Sequence, residues 1–172
     1  MKIKIIVLCV CLLMLFVAEA AAQPKEVTES VTTTYYVPVK IIPLGPDSAF
    51  LTYDGTGLTV AEKGEGLFHN ATIRAVGSLT NEKGKWNDEN AAGYWSLING
   101  DKVFFKMKGT GQSPQPGVMG IAKGTVTIIG GTGKCAGIQG TFEMTRYSVP
   151  KPAIEGIVQS YVKANIKYTL PQ

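Results

Sequence analysis

Residues 124–140 read GTVTIIGGTGKCAGIQG, and this stretch decides the fold. Residues 125–129 are an apolar, largely β-branched run, the composition that suits a pleated, half-buried strand. Three glycines in four residues follow, Gly130, Gly131 and Gly133, then Lys134, Cys135, Ala136 and two further glycines, Gly137 and Gly140. Glycine supplies positive φ and lets two backbones approach closely. The spacing predicts a strand, a structural corner built on Gly130, Gly131, Gly133 and Gly137, and a second strand. It is not a phosphate-binding loop. Such a loop keeps four residues between its glycines ahead of the lysine and opens a helix. Here Ile128 stands where the first glycine belongs.

The flanks continue the pattern. Residues 139–149 read as the partner strand, Pro150 and Pro152 as a stiff turn, and residues 157–170 as the last strand. In that strand Val158, Ser160, Val162, Ala164, Ile166 and Tyr168 alternate against Gln159, Tyr161, Lys163, Asn165 and Lys167. Toward the N-terminus, residues 109–117 (GTGQSPQPG) read as a flexible loop. Residues 91–98 and 102–108 flank Asn99-Gly100-Asp101, a strong hairpin signal. Residues 80–90 are polar and charged and read as an exposed loop. Residues 67–79 read as a strand with Leu67, His69, Ala71, Ile73 and Ala75 on one face. Asp54-Gly55-Thr56-Gly57 reads as a break between short strands, and residues 31–42 as a long strand that is at an edge or bends at Pro38. That makes roughly eight to ten strands with no helical period, the pattern of an all-β sandwich or a closed antiparallel barrel.

The first residues are of another kind. Lys2 and Lys4 precede an unbroken apolar run over residues 5–17. Ala18-Glu19-Ala20 or Ala20-Ala21-Ala22 then offers a small-residue cleavage site. This is the pattern of a secretory signal peptide over residues 1–22, too short in its apolar part to span a bilayer. Residues 23–30 read as a loose polar leader, and residues 31–172 as one domain. The expected location is secreted or periplasmic, with no stable membrane insertion after cleavage. Lys2, Lys4 and Glu19 leave with the segment, taking the net charge from +4 to +3. So mild a charge without a basic cluster excludes a nucleic-acid partner. Cys9 and Cys11 leave as well, so Cys135 is alone and no internal disulfide framework exists.

Three pieces of the chain resemble the allene oxide cyclase barrel-like family, which includes plant allene oxide cyclases and dirigent proteins. They are LFHNATIRAVG (residues 67–77), Gly93-Tyr94-Trp95 with NGDKVF (residues 99–104), and GGTGKCAGIQG (residues 130–140). The last is the most specific, and together the pieces cover roughly residues 58–149. The resemblance implies a closed eight-stranded antiparallel β-barrel of the calycin type, trimeric in many plant members, and it is nearest in look to secreted bacterial members. It does not carry the plant activity across, because no cyclase catalytic residue matches a position here. Where many bacterial members have cysteines after the arginine and the tyrosine, this chain has Ala75 and Trp95.

Few residues offer chemistry. His69 is the only histidine, so with one remaining cysteine a zinc site of His and Cys ligands is excluded and no metal is expected. No nucleophile elbow of the Gly-x-Ser-x-Gly type occurs, and no cofactor motif. The candidate ligand-binding residues are His69, Arg74, Tyr94, Glu143 and Tyr147. They comprise the sole imidazole, two charges on predicted strands, and two aromatics that could line a barrel. Asn70-Ala71-Thr72 is a glycosylation sequon placed within a predicted strand. Three function classes follow. One is a barrel that binds a small apolar molecule. Another is a homo-oligomeric structural subunit, dimer or trimer, with a filled barrel. The third is a cyclase-like or dirigent-like enzyme that steers a reactive substrate.

Overall fold

A computed structural model describes residues 25–171; the targeting segment expected at residues 1–22 lies outside them. Eight strands follow one another: β1 (Glu26–Gly45), β2 (Ser48–Ala61), β3 (Ala71–Glu82), β4 (Lys85–Ser96), β5 (Lys102–Gln112), β6 (Gly120–Gly131), β7 (Gly140–Ser148) and β8 (Ile157–Thr169). Each pairs antiparallel with its neighbour in sequence, and β8 returns to β1, so the sheet closes into a barrel. Closure settles the choice between barrel and sandwich, and it removes most of the unpaired edge a sheet would otherwise expose.

Alternation sets the inside. Val31, Thr33 and Tyr35 of β1, Ile73 and Ala75 of β3, Phe105 and Met107 of β5, and the even residues from Val158 to Ile166 of β8 face inward. The alternation expected in β8 is the one observed. One end of the barrel is a floor. There Phe68, with no exposed surface, packs edge-on against Trp95 at 5.0 Å and Tyr168 at 5.5 Å between ring centroids. Burying such a side chain is worth about 1.5–3 kcal/mol. Glu29 holds the plug in place, accepting from the backbone N–H groups of Leu67 (2.8 Å) and Phe68 (3.2 Å) and from the Tyr168 hydroxyl. The glycine corner completes the floor. A single 3-10 turn, Gly133–Cys135, joins β6 to β7, buries Cys135 and Ile138, and is tied to the β4–β5 turn by Lys134 N–H donating to Asp101.

Several local expectations change. Residues 67–70 are not strand but the plug loop, because Asn70 takes φ 58° and ends the extended path; β3 begins at Ala71. Asn70 of the sequon thus occupies an exposed turn. Asp54-Gly55 does not break β2. Asp54 points outward to Arg74, while Gly55 lies inside against Val37. Residues 80–90 are the ends of β3 and β4, joined by Lys83 and Gly84, both at positive φ (51° and 80°), as a two-residue hairpin of the mirror-image type demands. β5 likewise extends to Gln112, into the presumed loop. β1 begins at Glu26, inside the stretch expected to be a leader, since Glu26 already pairs with Thr169. Beyond Pro38 pairing with β8 stops, and residues 39–45 pair with β2 alone, an overhang that carries exposed Ile41, Ile42 and Leu44.

Candidate functional site

The barrel interior is an apolar cavity of about 160 Å³. It runs from rim residues such as Val39, Asn81 and Pro114 down to Trp95, Phe105 and Phe142 above the floor. Both tryptophans of the chain, Trp86 and Trp95, are on its wall. Trp95 is fixed from both sides. Its ring lies 4.5 Å from that of Phe105, and its Nε1 donates to Thr59 Oγ1 (3.1 Å), which in turn bonds Thr33 (2.9 Å).

A charged cluster interrupts the apolar wall. Glu89 is 1% exposed, and its carboxylate receives four donors. Arg146 approaches with both terminal nitrogens, Nη1 to Oε1 at 2.7 Å and Nη2 to Oε2 at 2.9 Å. The Tyr53 hydroxyl donates to Oε1 (2.8 Å) and Trp86 Nε1 to Oε2 (2.9 Å). A carboxylate has about four lone-pair positions, so this one is saturated. Burial opposes the charge on Arg146, yet the charge and hydrogen bonds of Glu89 outweigh it and raise the guanidinium pKa. Burial, and then the Glu89 charge, push the Tyr53 hydroxyl well above the ordinary phenol range. The cluster is therefore a closed ion pair. It has neither a spare acid nor a spare base at neutral pH.

Backbone irregularity puts these residues there. Trp86 is opposite Gly111 and Glu89 opposite Gly109, so β4 carries an extra residue between them and the register slips. This bulge turns both Trp86 and Glu89 inward, although strict alternation would separate them. Glycine makes the space. A Cβ on Gly111 would lie 2.5 Å from Trp86 Cζ2, and one on Gly77 would lie 2.5 Å from Tyr53 Cζ. Sequence reasoning missed Glu89 because its neighbours are polar and exposed. The available signal was a tryptophan in a charged stretch facing the alternating glycines of β5.

The five residues proposed from sequence do not come together, and none lines the cavity. His69 is half-buried in the plug loop, its Nδ1 without a hydrogen-bond partner. Arg74 is on the outer surface, paired with Asp54 at 2.6 Å. Tyr94 is outside under the Lys102 ammonium, 4.7 Å from the ring centre. Glu143 faces solvent and accepts from Thr125 (2.6 Å). Tyr147 stacks on Tyr161 at 5.1 Å. Cys135 is buried, and burial followed by the Asp101 charge raises its thiol pKa, the reverse of what a nucleophile needs. Among the described residues no group of three or more His, Cys, Asp or Glu side chains is placed to hold a metal, and no helix is long and apolar enough to cross a membrane. Compared with family models, curated proteins and solved structures, the chain matches none of them.

Proposed function

We propose that this protein is a small-molecule-binding barrel that takes a compact, mainly apolar ligand into its interior. The carrying observation is the cavity itself: apolar walls over the length of the barrel, a plugged floor and, among the described residues, a single charged lining residue, Arg146, that is already neutralised. Its volume of about 160 Å³ is below the roughly 300 Å³ at which drug-sized ligand sites begin. It is close to the ~150 Å³ of an engineered apolar cavity that stays dry and admits benzene. The ligand in this reading is accordingly a single-ring molecule, not a lipid. An acid–base enzyme is disfavoured because Glu89, the carboxylate held by the lining Arg146, is saturated, and Glu143 is outside. Kinship with the cyclase and dirigent barrels, and export directed by residues 1–22, belong to the same reading.

Trp86 and Trp95 provide the test. Titration with ethylbenzene is expected to change tryptophan emission saturably, and Ala164→Leu, which adds bulk to the cavity wall, should abolish the change. A folded wild-type protein whose emission never saturates would overturn the proposal.

A further inference from the structure

The interior contains a second polar feature, apart from the Glu89–Arg146 pair. Ser160 lines the cavity, is 7% exposed, and its Oγ has no hydrogen-bond partner among the described residues. A buried hydroxyl without a partner is costly, and native proteins keep few of them. Ser160 is not isolated. Across the β7–β8 ladder it faces Ser148, and across the β8–β1 ladder it faces Tyr35. Directly opposed residues on one face of a sheet have Cβ atoms about 4.5–5.5 Å apart. Ser148, Ser160 and Tyr35 therefore form a row of three hydroxyl side chains across three adjacent strands, all on the cavity wall. The other inward residues of β8, Val158, Val162, Ala164 and Ile166, are aliphatic, and Arg146 is the next inward residue of β7 beside Ser148.

The chemistry of the row limits what it can meet. Hydroxyl groups donate or accept, so they suit an alcohol or a carbonyl oxygen equally. Burial raises the Tyr35 hydroxyl far above its ordinary range, against a smaller opposing effect of Arg146, so the row is neutral at physiological pH. Among the described residues no free charge is available to meet a charged ligand, since Arg146 is the only charged one lining the cavity and Glu89 occupies it. An ionised ligand would lose its hydration without compensation. His69 Nδ1, the other buried unpartnered side-chain atom among the described residues, does not line the cavity and contributes nothing here.

We infer that the ligand is a neutral single-ring alcohol or ketone whose one oxygen hydrogen-bonds Ser160, with Ser148 and Tyr35 flanking it. The inference rests on the reading of the barrel as a binding protein and adds the polar specificity of the site. Its test uses isosteric probes on the full-length folded protein: ethylbenzene, benzyl alcohol and benzoate, titrated into wild type and Ser160→Ala. The expected result is that both neutral probes bind wild type and benzoate does not. Ser160→Ala should weaken benzyl alcohol about tenfold while leaving ethylbenzene unchanged, the loss of one hydrogen bond. Ser148→Ala, read in the same way, should weaken benzyl alcohol less. If ethylbenzene binds but benzyl alcohol is refused, or is indifferent to Ser160→Ala, the hydroxyl row holds no ligand oxygen and only the apolar barrel stands. Benzoate binding on a par with benzyl alcohol overturns the requirement for neutrality. If no probe binds, the binding-barrel reading falls, and this inference with it.

Discussion

Glu89 and Arg146 illustrate how a buried ion pair resists single substitution. Removing one partner leaves the other charge in an apolar interior, which costs about 3–5 kcal/mol. Replacing both with apolar residues removes the mutual need. Glu89→Leu and Arg146→Met are each expected to lower stability by about that amount, and the double variant to lose much less than their sum, since contacting residues do not add. Urea unfolding of the four proteins measures the coupling, and strictly additive losses would show that the pair does not act as a unit. Ser160 was readable from sequence as a member of one face of β8, because that strand alternates cleanly. Glu89 was not readable, because the bulge beside Trp86 breaks the alternation on which such a reading depends. Arg74 and Glu143 were correctly assigned to strands, but a strand position leaves the inward face undecided, since a slip of one residue inverts it.

At the scale of elements, turn chemistry decided where the reading succeeded. Asn99-Gly100-Asp101 forms the expected β4–β5 turn, with Gly100 at φ 87° and its N–H on the Leu97 carbonyl. The glycine corner stands between β6 and β7 as anticipated. Lys83-Gly84 performs the same task less visibly, since lysine is a rare first residue for such a turn, and the strands around it are polar where they rise past the core toward the rim. The plug loop was legible as sequence but not as shape. Its break depends on one residue, Asn70, in the left-handed region (φ 58°). Asn70→Val is therefore expected to cost about 1–2 kcal/mol, since a β-branched residue resists that conformation, while Asn70→Gly should change stability by only a few tenths. Chemical denaturation midpoints distinguish the two. Equal losses from both would place the importance of Asn70 in its side chain and not in its backbone.

For the whole molecule the titration of buried phenols sets a pH limit. Tyr35, Tyr53 and Tyr168 are three of the seven tyrosines, and each is raised, in every case chiefly by burial. A raised folded-state pKa contributes stability that is complete below the unfolded value, near ~10, and is lost as pH climbs toward the folded values. The barrel should therefore fail on the alkaline side. Phenolate absorbance from these three is expected to appear together with loss of near-ultraviolet circular dichroism in one cooperative step. Ionisation of all seven tyrosines with the dichroism intact would contradict it. The all-β class was legible from strand spacing. Closure into an eight-stranded barrel, expected from the family resemblance, is what the structure has; strand spacing alone did not mark it, because residues as distant in sequence as those of β1 and β8 leave no local sign of their pairing.

The unequal strands of that ring have a further consequence. Past Pro38 the outer margin of β1 is bare backbone beside Ile41, Ile42 and Leu44, the kind of surface on which a stray chain can be templated into fibrils. Pro38 and Pro43 each lack an N–H, and Lys40 sets a charge between them. The overhang thus carries features of the kind that keep exposed edges from pairing, two prolines and a lysine, none of which lines the cavity.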